Sequence, residues 1–130
     1  MAVEDLRKSD VMSNLLDGLE QGKDIGHYGK FVFATVARHF LEPEQVVEYL
    51  AKAPDTDERD ARGLLDQVQS RDYNAPRREK LVDYQSQQEF RFMDPDNPDS
   101  GNLYRDLQFP DDVYEDISEY HEQRAESNQG

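Results

Sequence analysis

Met12, Leu15, Leu16 and Leu19 recur at intervals of three and four, the spacing that lines one face of a helix. Ser9 stands where a hydroxyl caps the first turn and Gly22 where a left-handed residue ends the last, so the pattern predicts a helix near 9–21. The next segment, 28–41, carries Phe31, Val32, Phe33, Ala34, Val36, Ala37, Phe40 and Leu41 and leaves almost no polar face. A helix apolar nearly all round is the buried centre of a bundle. Pro43 fits the first turn of a third helix, with Val46, Val47, Leu50 and Ala51 inward and Pro54 ending it. Asp55 and Glu58 have the spacing of a capping box and introduce a fourth helix with Ala61, Leu64, Leu65 and Val68 inward. A fifth begins at Pro76 and carries Leu81, Val82 and Tyr84.

After this helical core, 9–88, the rhythm breaks. Asp94-Pro95-Asp96-Asn97-Pro98-Asp99-Ser100-Gly101 punctuates every element that could start, so 89–110 is expected to be an irregular arm. A last, acidic helix is expected over 111–122, with Val113, Tyr114, Ile117 and Tyr120 as a stripe, and 123–130 should fray. The fold class that follows is all-α: a single domain, a compact bundle of about five to six helices, with an irregular Asp/Pro/Asn-rich loop before the last.

Composition narrows the chemistry. At 130 residues, 35% hydrophobic, with a mean hydropathy of -1.01, the chain has apolar surface for one modest core. It has no cysteine, which excludes disulfides, thiolate zinc, thiol nucleophiles and cysteine-held iron–sulfur clusters. His27, His39 and His121 are scattered, so neither a metal nor another cofactor is expected. No apolar run reaches the roughly 18 residues a membrane span needs, and Met1 to Asp5 lacks the features of a secretory signal. A cytoplasmic protein without membrane contact is the expectation.

A net charge of -14 argues against polyanionic partners as a whole. Its distribution is uneven: between 22 and 80, ten Lys and Arg face eleven carboxylates, whereas from 81 onward three face thirteen. A local basic surface is permitted in the middle of the chain.

Two constellations lie there. His27 and Lys30 are three apart at the start of the apolar helix, where backbone amides and the macrodipole attract anions; Gly26 and Gly29 permit close approach, and Lys23 or Arg38 adds charge if the fold brings them near. The plainer alternative is that His27 and Tyr28 close a loop over the core. Arg77, Arg78 and Lys80 form a second cluster at a helix start, where cations oppose the dipole; they serve nucleic-acid phosphates or form a solvated face paired with Glu79 and Asp83. The acid pairs Asp111/Asp112 and Asp96/Asp99 lack the spacing of a calcium loop. Tyr104, Tyr114 and Tyr120 are expected to be packing residues. No phosphate loop, nucleophile elbow or zinc-protease motif is present, so an autonomous active site is not expected.

Ile25-Gly26-His27-Tyr28-Gly29-Lys30-Phe31-Val32-Phe33-Ala34-Thr35 resembles the Leu-Pro-His-x-x-Arg-Phe-Ala-Leu-Ala-Thr helix in the C-terminal domain of the archaeal and eukaryotic DNA primase large subunit. Glu44-Gln45-Val46-Val47-Glu48-Tyr49-Leu50 is similar to the family's next helix, and Pro54-Asp55 with Asp57-Glu58 to its Pro-Asp-Phe-x-Glu turn. Tyr73-Asn74-Ala75-Pro76 resembles the Tyr-x-Pro-Pro before a family cysteine, and Tyr84 falls where a tyrosine precedes another. The likeness covers roughly 22–87. It implies a domain that grips an initiating triphosphate and the template while a separate primase-polymerase subunit polymerises. By carry-over, His27 and Lys30 contact phosphates; Arg77 or Arg78 stands where a cluster cysteine would be. Without cysteine the family's iron–sulfur cluster cannot form, and the resemblance then implies a cluster-free accessory role. Lys30 keeps the charge of the family's Arg but not its planar fork.

Two functions follow. The first is a non-catalytic primase-accessory domain that binds a nucleoside triphosphate or primer 5′ end through His27, Lys30, Lys23 and Arg38, and primer-template phosphates through Arg77, Arg78 and Lys80. The alternative is an acidic helical adaptor that docks on another protein through Val113, Tyr114, Ile117 and Tyr120. A nucleic-acid mimic is remoter, since the acids are too irregular to imitate a phosphate row.

Overall fold

The computed structural model describes residues 3–54, 56–94, 96–97 and 102–109, and among these are seven helices and no strand. Helix α1 (Val3–Leu6) is a single turn that buries Leu6, an element the periodicity does not announce. Arg7 follows it and clamps it to the next helix through Asp17 at 2.9 Å and Glu20 at 3.3 Å.

Helix α2 (Asp10–Glu20) begins where expected, the Ser9 hydroxyl accepting the Met12 amide at 3.3 Å. It ends in a Schellman motif: Gly22 takes φ +69°, its amide donates to the Leu19 carbonyl at 3.0 Å, and the Lys23 amide donates to the Gly18 carbonyl at 2.9 Å. Val11, Met12, Leu15, Leu16 and Leu19 form its buried face.

Helix α3 (Gly26–Ala37) is the centre of the bundle. From Val32 to Ala37 every residue is buried, and α2, α4 and α5 all pack on it. Thr35 belongs in this company because its hydroxyl donates to the Phe31 carbonyl at 2.8 Å, which satisfies that donor within the helix. Each large side chain buried here, such as Phe33, contributes on the order of 1.5–3 kcal/mol.

Helix α4 (Pro43–Leu50) starts with Pro43 inside its first turn, and the Glu42 amide donates to Gln45 Oε1 at 3.1 Å. Helix α5 (Glu58–Arg71) is capped by Asp57, not Asp55: the Asp60 amide donates to Asp57 Oδ1 at 2.8 Å. The chain is still turning at Thr56, whose amide donates to the Ala53 carbonyl at 3.3 Å, so the box falls two residues late. Asp72 ends α5 in the left-handed region, at φ 48°. Helix α6 (Arg78–Gln85) likewise starts two residues after Pro76, because Arg77 is extended.

Beyond α6 the chain is irregular yet contributes to the core. Phe92, Met93, Leu103, Leu107 and Phe109 are buried, and a four-residue helix, α7 (Leu103–Asp106), is capped by Asn102. One buried carboxamide holds the turn: Gln85 Oε1 accepts the Phe92 amide at 2.8 Å and the Met93 amide at 3.3 Å, while Gln85 Nε2 donates to the Phe90 carbonyl at 2.9 Å. Asn14 of α2 donates to the Phe92 carbonyl at 3.0 Å, tying the same strip to the opposite side of the bundle. The expected helix at 111–122 and the tail at 123–130 lie outside the described residues.

Gln85→Met keeps the side chain's bulk but strands the Phe92 and Met93 amides in the core. We expect it to lower the unfolding free energy by about 2–4 kcal/mol in urea titrations; a loss under about 0.5 kcal/mol would show the carboxamide to be dispensable.

Candidate functional site

The beginning of α3 and the length of α6 meet through two tyrosines. Tyr28 and Tyr84 stack with ring centroids 4.7 Å apart and planes 16° from parallel, and the Tyr28 hydroxyl donates to Gln87 Oε1 at 3.0 Å. One turn along α3, Phe31 sets its ring edgewise to Tyr84 at 6.2 Å and to Tyr73 at 5.3 Å. His27 meets Tyr28 edge-on at 5.6 Å. Four half-buried rings and an exposed imidazole thus form one continuous aromatic strip across α3, the end of α5 and α6.

Helix geometry accounts for the strip. Positions 28 and 31 share the face of α3 that α2, α4 and α5 leave over, and on α6 Leu81 and Gln85 point inward, which puts Tyr84 at the seam. Burial pushes the Tyr84 phenol above its ordinary pKa, with Tyr28, Asp83 and Tyr73 adding to the rise.

The mouth of α3 is closed from within. Gly26, at φ +82°, donates its amide to Asp24 Oδ1 at 3.0 Å, and the Gly29 amide donates to Gln88 Oε1 at 3.3 Å. Gln88 Nε2 donates back to the Ile25 carbonyl at 2.8 Å. A Cβ on Gly26 would overlap the Gln88 carboxamide, so this glycine admits a neighbouring side chain of the same protein. The sequence reading left this approach open to a ligand, whereas in the structure Gln88 occupies it.

Side-chain charge is distributed differently. Lys80 Nζ lies 5.7 Å from the centre of the Tyr84 ring, within cation–π range. Lys30, half-buried, donates to the Thr56 hydroxyl at 3.2 Å. His27 and Lys23 are exposed. None of these four forms an ion pair with a carboxylate among the described residues, although the chain has 29 carboxylates. His27 and Lys80, remote in sequence, each lie beside one ring of the same tyrosine stack, His27 beside Tyr28 and Lys80 beside Tyr84.

The remaining candidate cations are engaged elsewhere. Arg38 caps the far end of α3, about 16 Å along the axis from His27 at 1.5 Å per residue. There it is mostly buried and donates from one nitrogen to Asp72 Oδ1 and to the Tyr73 carbonyl, both at 2.8 Å. Its role is to fasten the left-handed end of α5 to α3 and so to set Tyr73 against Phe31. Arg77 is the N-cap residue of α6, and Arg78 pairs with Glu79 at 3.5 Å. Glu79 is held below the usual carboxylate range by its own backbone amide and by Arg78 and Arg77. Both members of the Arg78–Glu79 pair are exposed, where such contacts contribute little.

Val113, Tyr114, Ile117 and Tyr120 lie outside the described residues, as do Asp99, Asp111 and Asp112. Tyr104 packs on Phe109 at 5.3 Å and donates its hydroxyl to the Ala75 carbonyl. A separate opening of about 590 Å³ lies at the other end of α3, among Lys8, His39, Phe40, Tyr104, Arg105 and Phe109. Its residues come from three distant segments, so no local pattern announces it. Among the described residues no group of three or more His, Asp or Glu could hold a metal ion, and no helix is long and apolar enough to cross a membrane.

Arg38→Met retains the buried stem and removes both hydrogen bonds, so we expect a loss of about 1.5–3 kcal/mol in stability by chemical denaturation. A raised phenol pKa means stability that is intact below pH 10, the ordinary value, and lost as pH climbs through the folded value. Melting temperatures measured from pH 9 upward should therefore fall, and Tyr84→Phe should soften that fall; Tyr49, also raised by burial, accounts for a remainder. Identical alkaline profiles for the two chains would contradict the burial of Tyr84. In comparisons with known proteins, no family model, no curated protein and no solved structure matches this chain.

Proposed function

We propose that this chain is a cluster-free, non-catalytic relative of the C-terminal domain of the primase large subunit, binding the triphosphate of a nucleotide or the 5′ end of a primer while a separate protein polymerises. The observation that carries the proposal is a set of side chains without carboxylate partners among the described residues: His27 and Lys80, each beside one ring of the Tyr28–Tyr84 stack, and Lys30, whose partner is the Thr56 hydroxyl. In a chain of net charge -14, ordinary surface electrostatics would pair them.

Each group suits a phosphate oxygen in a different way. Lys80 is an exposed point charge within cation–π range of Tyr84, and an ammonium has three donors to offer. Lys30 uses one of its three on Thr56 and keeps two. His27 presents ring nitrogens to solvent at the strip's edge. The α3 amides contribute less than the sequence leads one to expect, because Gln88 and Asp24 take two of the four. Recognition therefore rests on side-chain charge. Arg77 and Arg78 stand at the start of the same helix as Lys80 and extend the basic edge toward template phosphates, partly offset by Glu79.

Lys80→Glu and Lys30→Glu should each weaken binding of a fluorescent nucleoside triphosphate by more than tenfold, about 1.4 kcal/mol, in roughly 0.15 M salt. Circular dichroism should be unchanged, since neither lysine holds a carboxylate in the described structure. Affinity indifferent to both substitutions would overturn the proposal.

A further inference from the structure

We infer that the opening at the other end of α3, among Lys8, His39, Phe40, Tyr104, Arg105 and Phe109, is the seat of this chain's own acidic segment, 111–122, which docks there through Val113, Tyr114, Ile117 and Tyr120. The inference stands apart from the phosphate-binding reading and concerns the opposite end of the helix.

Three observations lead to this occupant. First, the floor is aromatic. Phe109 is buried, and His39, Phe40 and Tyr104 set their rings against it at 5.6, 5.3 and 5.3 Å. These three are only half-buried, so ring surface still faces an opening of about 590 Å³. Second, the charged groups of the rim come as two neighbouring pairs, Lys8 with Asp5 at 3.6 Å and Arg105 with Asp106 at 3.0 Å. They are not the convergent set that orients a small ligand. Both cations are exposed, where such pairs are weak, so Lys8 and Arg105 can each receive a further carboxylate. Third, Phe109 lies in the floor itself, and the sequence runs directly from it through Pro110 into 111–122. That segment carries six carboxylates and no Lys or Arg, and its apolar residues recur at the spacing of a single helix face. Aromatic floor meets apolar stripe, and exposed cations meet acids.

Continuity of the chain selects this occupant over a separate protein of the same chemistry. A segment tethered by a few residues meets its seat at an effective concentration on the order of millimolar, so even a weak contact is well populated. A partner protein that takes the same stripe has to displace it first, and its apparent affinity falls by the fraction of chains in which the seat is occupied.

The test uses the full chain, which has no cysteine of its own, with Ser118→Cys carrying a nitroxide spin label. The amide signals of Lys8, His39 and Phe40, all remote in sequence from the label, should be broadened away, and that of Lys23, at the opposite end of α3, should persist. Because the tether alone brings the label near, a second labelled chain adds Tyr114→Ser and Ile117→Ser, and there the three signals should recover. In a mixture of labelled chain and isotope-enriched unlabelled chain, the unlabelled chain's signals should stay sharp. Four sharp signals in the first labelled chain, equal broadening at Lys23 and at the opening, or one pattern with and without the stripe overturns the inference. Broadening in the mixture overturns it in favour of docking between copies. Each of these outcomes leaves the triphosphate measurement untouched, so the two readings fail separately.

Discussion

Everything in this bundle answers to one constraint: α3 is apolar on nearly every side, so every side must be covered. Helices α2, α4 and α5 take most of its surface and complete the burial from Val32 to Ala37. At its first turns, however, α3 changes character, with His27, Tyr28 and Lys30 replacing aliphatic residues. Rings that are only partly apolar tolerate partial cover. Helix α6 supplies that cover by laying Tyr84 on Tyr28, and Lys80 of the same helix lies over the Tyr84 ring. The candidate site is thus the place where the burial of α3 runs out.

Two glutamines make that junction hold. Gln85 is buried and Gln88 half-buried, and a carboxamide offers donors and acceptor together, which a chain reversal full of unpaired backbone groups needs. Gln85 meets the backbone at Phe90, Phe92 and Met93, and Gln88 meets it at Ile25, Gly29 and Phe90. Between them they join the end of α6, the beginning of α3 and the irregular segment that plugs the core with Phe92. A charged residue in either place would have to leave the interior, and an aliphatic one would leave amides unmet.

The all-α class, the central position of α3, the Ser9 cap and the Gly22 stop were legible because each is local: period, cap and stop lie within one helix of sequence. The misplaced features are those decided between segments. Asp57 rather than Asp55 caps α5 because a preceding turn absorbs two more residues, and no pattern in 53–58 distinguishes the two aspartates beforehand. Phe92, Leu107 and Phe109 belong to the core without periodicity, held by Gln85 and by ring contacts that join residues some seventy positions apart. At the site, His27 and Lys30 could be singled out by spacing and Lys80 by charge. The placement of His27 and Lys80 beside Tyr28 and Tyr84 could not, since it depends on how α6 returns to α3. Arg38 illustrates the converse, a cation selected for its charge that spends it on Asp72 and the Tyr73 carbonyl.

How could a protein of net charge -14 bind phosphates in the way proposed above? The answer lies in range. At physiological ionic strength the screening length is about 8 Å, so a carboxylate two or three such lengths away contributes little to the potential at Lys80, whereas a phosphate bound as proposed would meet Lys80 at contact distance. Of the thirteen carboxylates from residue 81 onward, Asp83 acts on Tyr84 itself, so the site carries negative charge of its own. In very dilute salt the balance tilts the other way, because the field of the whole molecule then reaches the ligand and repels it. A local cationic surface on an acidic body therefore has its best working range at moderate ionic strength, where distant repulsion is screened and short-range attraction is not. The geometry gives both lysines neutral neighbours in place of an acid: Lys80 lies within cation–π range of Tyr84, and Lys30 donates to the Thr56 hydroxyl.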